Sequence, residues 1–144
     1  MATYEPALDE AYGFHTLQVA GIYFAVVFEI LLELMVRDLL QKLTIPQNIQ
    51  EIVFRAHQGR DRLTSLFKSL TGVSLKQAMD EVKSGYYDHA LQICRRRNEY
   101  LHGNDRAFDQ TPIDDLQVLA DHTLDVFAGV NNKYVCRQAI NSPD

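Results

Sequence analysis

An all-α bundle is predicted by three observations. Apolar residues recur at spacings of three and four along almost the whole chain, no run alternates in the manner of a strand, and the breaks between periodic segments carry helix-capping residues. With 144 residues, 47% apolar and 23% charged, the chain is expected to form one domain over 1–144. The expected architecture is a single up-and-down bundle of about four to five helices, preceded by a flexible segment at 1–12.

The first helix is expected from Phe14 to about Leu43, ending before Thr44, Ile45 and Pro46, because a residue that precedes proline is disfavoured in helical geometry. Roughly 30 residues is long for a globular helix. It is also apolar around most of its circumference, with Val19, Ile22, Val26 and Ile30 on one side and Phe24, Phe28, Leu31 and Leu34 on others. Such a helix is buried on more than one side, so it is placed at the centre of the bundle, with a second subunit covering part of it. A membrane span is not expected. Glu29, Glu33, Arg37 and Asp38 interrupt the run, and the charge-free stretch Val19–Phe28 falls short of the roughly 20 apolar residues a bilayer needs.

The second helix starts at Pro46, aligns Ile49, Ile52, Val53 and Ala56, and stops at Gly59. A third, capped by Asp61, carries Leu63, Leu66, Phe67 and Leu70 to Gly72. Ser74 and Gln77 are spaced as a capping box, and from there Leu75, Met79, Val82, Tyr86, Ala90, Ile93, Arg97 and Leu101 repeat at helical spacing until Gly103. The sequence leaves open whether Ser84 and Gly85 split this stretch, since an interior glycine costs only about 1 kcal/mol. Thr111 and Pro112 open the last helix, with Asp114 and Asp115 in its first turn and Ile113, Leu116, Ala120, Thr123, Phe127, Val130 and Tyr134 along one face.

A formal net charge of −5 argues against a protein that coats nucleic acid by bulk attraction. Local charge is uneven, however. Arg55, Arg60, Arg62, Arg95, Arg96, Arg97 and Arg106 fall in the middle of the chain, where any polyanion site is expected. Cys94 and Cys136, 42 positions apart and without a CxxC pairing, suggest neither a disulfide scaffold nor a thiolate zinc site. With no basic segment leading into an early apolar run, a cytoplasmic setting is expected. His15, His57, His89 and His122 lack metal-ligand spacing, no Glu-x-x-His pair occurs, and nucleotide-loop and nucleophile-elbow patterns are absent, so no metal and no cofactor are expected.

The chemistry concentrates in Cys94-Arg95-Arg96-Arg97-Asn98-Glu99-Tyr100-Leu101-His102-Gly103. A bare Arg-x4-His pair is expected in roughly a third of chains with this composition and carries no information alone. Asn directly after the Arg and Gly directly after the His make the pattern specific. Here the chain resembles the HEPN family (higher eukaryotes and prokaryotes nucleotide-binding domain), whose signature is Arg, a polar residue, and His four to six residues after the Arg. The resemblance rests on RNEYLHG at the end of a helix in an all-α chain, followed by one more long helix. It implies a metal-independent endoribonuclease, commonly a homodimer with paired motifs facing each other across the interface. Many such proteins are toxins held by an antitoxin or are other defence nucleases, and some are inactive binding modules. Carried over by motif position, Arg97, Asn98 and His102 are the catalytic candidates. Arg95, Arg96 and Arg106 are candidate RNA contacts. Arg95 and Arg96 also stand within four to six intervening residues of His102, and only the adjacent Asn singles out Arg97.

The residue types suit that chemistry. RNA cleavage without metal uses the ribose 2′-hydroxyl as nucleophile; histidine can move its proton near neutral pH, and arginine offers a permanent charge and a donor fork for phosphate oxygens. The products implied are a 2′,3′-cyclic phosphate and a 5′-hydroxyl. Geometry adds a constraint, because residues five apart on a helix point about 140° apart. Arg97 and His102 therefore meet one phosphate only if the helix distorts before Gly103 or a second chain completes the site. Glu29 and Glu33 of the first helix are candidates to orient a motif residue, with a Glu33–Arg37 pair as the alternative for Glu33.

Overall fold

The computed structural model describes residues 6–56, 59–109, 111 and 113–137. These form α1 (Pro6–Lys42), α2 (Gln47–Ala56), α3 (Arg60–Thr71), α4 (Leu75–Val82), α5 (Tyr86–Leu101) and α6 (Ile113–Val130), and α6 runs on into a π-helical turn at Asn131–Val135. No strand occurs among the described residues, so the all-α class read from the sequence is the class observed.

Helix boundaries follow the capping chemistry. α1 ends at Lys42, and Thr44 takes a left-handed conformation (φ 58°) that turns the chain into Ile45-Pro46. Gly72, also left-handed, returns its N–H to Lys68 O at the end of α3. Ser74 Oγ accepts from the Gln77 N–H at 3.1 Å and starts α4. The 74–103 stretch splits in two: Lys83 is extended, Gly85 is left-handed (φ 83°), and Asp80 Oδ1 accepts from the Gly85 N–H at 3.3 Å. Six α-helices are described where about four to five were expected, because the 74–103 stretch splits. Three boundaries differ from the sequence reading. α2 starts at Gln47, with the Pro46 carbonyl accepting from its first turn. α1 starts at Pro6 instead of Phe14, because proline suits a first helical position and the polar 6–13 stretch continues the same helix. Of the 1–12 segment, 6–12 are therefore helical, and 1–5 lie outside the described residues. α3 begins at Arg60 with Gly59 at the cap position, and Asp61 sits inside the first turn instead of capping it. Pro112, half of the expected start of α6, lies outside the described residues.

α1 packs against α3, α5, α6 and the π-helical turn. Its inner stripe, Phe28, Leu32, Val36, Leu39 and Leu40, is fully enclosed with Phe67, Met79, Tyr86 and Val126. Thr123 Oγ1 donates to Leu119 O at 2.7 Å, so the Tyr86 hydroxyl, 2.8 Å from that oxygen, is the donor in the pair that satisfies both buried groups. Gly21 lets α1 approach the segment after α5 closely, because a Cβ there would overlap the Phe108 ring.

Among the described residues nothing covers the outer stripe of α1. Val19, Tyr23, Val26, Ile30 and Leu34 are exposed, Tyr23 by 67% and Leu34 by 57%. Beside them an apolar groove of about 560 Å³ opens between α1 and α6, lined by Tyr23, Phe24, Val27, Leu116 and Leu124 among others. Thr16–Lys42 is long and apolar enough to cross a bilayer by length and composition. In this fold its inner stripe is covered by the other helices, and Glu29, Glu33 and Arg37 within it are all ion-paired.

Candidate active site

α5 runs antiparallel to α1, as the pairing of Arg97 with Glu29 and the bond from Gln18 Nε2 to Asp105 O at 3.0 Å show. Ala90, Ile93 and Cys94 hold the inner face of α5 in the core, and the next turn brings Arg97 against α1. Its guanidinium grips Glu29 with two bonds, Nη1 to Oε2 at 3.1 Å and Nη2 to Oε1 at 2.5 Å. Nε donates to Asn98 Oδ1 at 3.0 Å. Three of the five guanidinium protons are thereby used, and one on each terminal nitrogen remains. Only 12% of the Arg97 side chain is exposed, against 32% for Glu29. The Glu29 carboxylate holds the Arg97 pKa above its ordinary value, chiefly through these hydrogen bonds. Glu33 pairs instead with Arg37, four residues on, at 3.0 Å.

Arg97 and Asn98 open on a pocket of about 420 Å³ between α1, α5 and the start of α3, where Arg60, Asp61 and Arg62 form the facing wall. Arg60 is deeply set. Its guanidinium lies against the Cys94 thiol, whose pKa burial raises while Arg60 opposes the rise. Arg60 was not among the residues singled out by motif position, and the clustering of arginines in mid-chain is the sequence signal that pointed to its neighbourhood.

His102 stands elsewhere. It is the C-cap of α5, exposed, with its backbone N–H on Asn98 O, and Gly103 follows in left-handed geometry (φ 102°). α5 is regular through Leu101, so no distortion swings His102 round to Arg97, and His102 does not line the pocket that Arg97 lines. Among the described residues its ring has no hydrogen-bond or ion-pair partner. The candidate RNA contacts are dispersed as well. Arg96 points away to the segment before α6, where Nη1 donates to the Thr111 hydroxyl; Arg95 and Arg106 are exposed. Among the described residues no three His, Cys, Asp or Glu side chains gather as metal ligands.

No family model, no curated protein and no solved structure matches this chain.

Proposed function

We propose that this protein is a metal-independent endoribonuclease of HEPN type, a homodimer whose two chains together complete each site. In this reading the helices form the HEPN-like bundle around a central α1, the protein works in the cytoplasm as a toxin or defence nuclease, and an antitoxin protein restrains it. The observation that carries the proposal is the state of the motif. Arg97 is fixed in a pocket by Glu29 and Asn98 with two donor protons to spare, while His102 is exposed and unengaged one turn further on. A phosphate held by Arg97 thus has its charge partner within one chain and needs a proton-transfer group from outside. The uncovered α1 stripe supports the same assembly. Val26 and Ile30 flank Glu29 in sequence, and Leu101, 65% exposed, adjoins His102, so a two-fold contact over this surface would bring the partner's motif to the pocket.

The chemistry then follows from the side chains. Arg97 offsets the charge that develops on the phosphorane, Asn98 fixes the Arg97 fork, and His102 of the partner subunit takes the 2′-hydroxyl proton as that oxygen bonds to phosphorus and passes it to the 5′-oxygen as its bond to phosphorus breaks. A single-stranded RNA incubated with the protein in EDTA should yield 2′,3′-cyclic phosphate ends, and a 2′-deoxy substitution at the cut site should abolish cleavage there. Cleavage that requires added metal, or that leaves 3′-hydroxyl ends, would overturn this mechanism.

One observation favours a second reading. The Arg97–Glu29 pair by itself joins α5 to α1, as expected for a non-catalytic module that keeps Arg97 for structure and uses the apolar surface to bind a protein. That reading predicts a stable fold with no RNA cleavage, and a loss of stability when Arg97 is replaced.

A further inference from the structure

The pocket at Arg97 is one end of a longer groove. A second pocket, about 390 Å³, adjoins it at Gly59 and lies between Glu33, Arg37 and Arg55. Glu29 and Arg37 mark the two ends along α1, eight residues or about 12 Å of helix apart. Five arginines line this groove, and acidic groups do not neutralise all of them. Glu29 is committed to Arg97, and Glu33 and Glu51 lie against Arg37 at 3.0 and 4.0 Å. Arg55 and Arg62 have no carboxylate partner among the described residues; Arg62 Nη1 donates to Ala56 O at 3.0 Å. Arg60 is set deeper than these two. Its Nε and Nη1 are shut from water and make no hydrogen bond, with Asp61 reaching Nε only to 3.5 Å. Those two donors face the interior, out of reach of a ligand in the groove, so Arg60 contributes its charge and its other terminal nitrogen there; the first turn of α3 adds N–H groups whose cap, Gly59, offers no side chain.

We propose that this groove seats consecutive phosphates of a single RNA strand: Arg60 and Arg62 at the start of α3 take the phosphate next to the one at Arg97, and Arg55 takes the one beyond. The assignment of the strand as RNA rests on the ribonuclease reading; the demand for an oxyanion rests on the arginines alone. Among the described residues the lone aromatic lining the groove, Phe54, is already covered by Arg37 at 4.1 Å from its ring centroid and offers no platform for a base. The strand is therefore read by its backbone, with little preference for sequence.

Fluorescence anisotropy with a labelled 2′-O-methyl RNA, which binds but cannot attack its own phosphate, tests this without cleavage. Arg55→Gln and Arg62→Gln, both at exposed positions, should each weaken binding roughly 10-fold at low salt. Each should also lower the slope of log affinity against log salt by about 0.7, whereas Arg62→Lys should keep the slope and lose part of the affinity. Melting temperatures read alongside separate folding from binding, above all for the deeply set Arg60→Gln. Wild-type binding by both exposed variants would overturn the groove assignment. So would displacement of the oligomer by inorganic phosphate of equal affinity, which would mark a site for one free oxyanion. If the unmodified strand is cut with unchanged KM in both variants, the groove fails and the ribonuclease reading stands. If the arginines govern binding but nothing is cut, the groove stands and the ribonuclease reading fails.

Discussion

Replacing Glu29 by Gln tests whether Arg97 is held as the structure shows. The change keeps the side chain's size and removes its charge, leaving a guanidinium that is only 12% exposed facing a neutral amide. Breaking a fully buried ion pair costs about 3–5 kcal/mol and an exposed one about 0–1. This pair is intermediate, with Glu29 about one-third exposed, and Gln can still accept one of the two bonds, so a loss of about 2 kcal/mol is expected. For a chain of this length the entropy of unfolding is about 0.3 kcal/mol/K, which converts that loss to a Tm lower by about 7 °C. Urea unfolding of wild type, Glu29→Gln, Arg97→Gln and the double variant gives the coupling directly. The double variant should be more stable than the sum of the single losses implies, by about 1–2 kcal/mol. A coupling below about 0.5 kcal/mol would show that the pair does not position Arg97, and the reasoning from its geometry would fall.

Four further outcomes are expected. Gly21→Ala should cost about 1–3 kcal/mol in urea unfolding, because the new methyl overlaps the Phe108 ring and α1 must move to admit it. Burial raises the Tyr86 pKa to about 12, offset in part by its bond with Thr123, so absorbance titration should find one tyrosine ionising about two units late. Since the unfolded chain releases that proton near pH 10, stability should fall by about 2–3 kcal/mol as pH rises from 10 to 12, and Tyr86→Phe should abolish this part of the loss. Hydrogen bonds from Lys133 and Tyr134 hold the Glu81 pKa below its ordinary value, so their contribution is present at neutral pH and disappears as pH falls through the acid range; Glu81→Gln should remove that dependence from acid unfolding curves. Ile30→Asp on the uncovered α1 stripe should shift the mass seen by light scattering from about twice 16.5 kDa to that of one chain, without loss of helicity. A wild-type chain that scatters as a monomer would remove the composite site.

The helices were legible in the sequence where a local residue dictates the break. Gly72, Ser74 with Gln77, and Gly103 mark ends by the chemistry of a left-handed residue or a cap, which needs no knowledge of distant parts. The break at Gly85 was undecidable, because it depends on Asp80 reaching the Gly85 amide and on Lys83 becoming extended. The early start of α1 was hidden because 6–13 carries only two large apolar residues, Leu8 and Tyr12, too few to establish a period. The divergence of Arg97 and His102 was readable from helical geometry alone, and Glu29 was one of two candidates on α1 for a motif partner. Its choice over Glu33 was not readable. It depends on the level at which α5 lies along α1, a contact across 68 residues that periodicity does not encode. The same is true of Arg60, which reaches the site from α3, and of Arg96, which Thr111 draws away from it.

In the proposed mechanism Arg97 of one chain and His102 of another act on one phosphate without metal. Cleavage of a labelled single-stranded RNA in EDTA by wild type, Arg97→Gln, His102→Ala and an equal, re-equilibrated mixture of the two variants tests it most directly. Wild type should cut, and each variant alone should lose roughly 10²- to 10⁴-fold. In a mixed dimer one of the two symmetric sites regains both groups, so the mixture should recover roughly a quarter of wild-type activity. No cleavage by wild type in EDTA, full activity in either folded variant, or a mixture as inactive as its parts would contradict it.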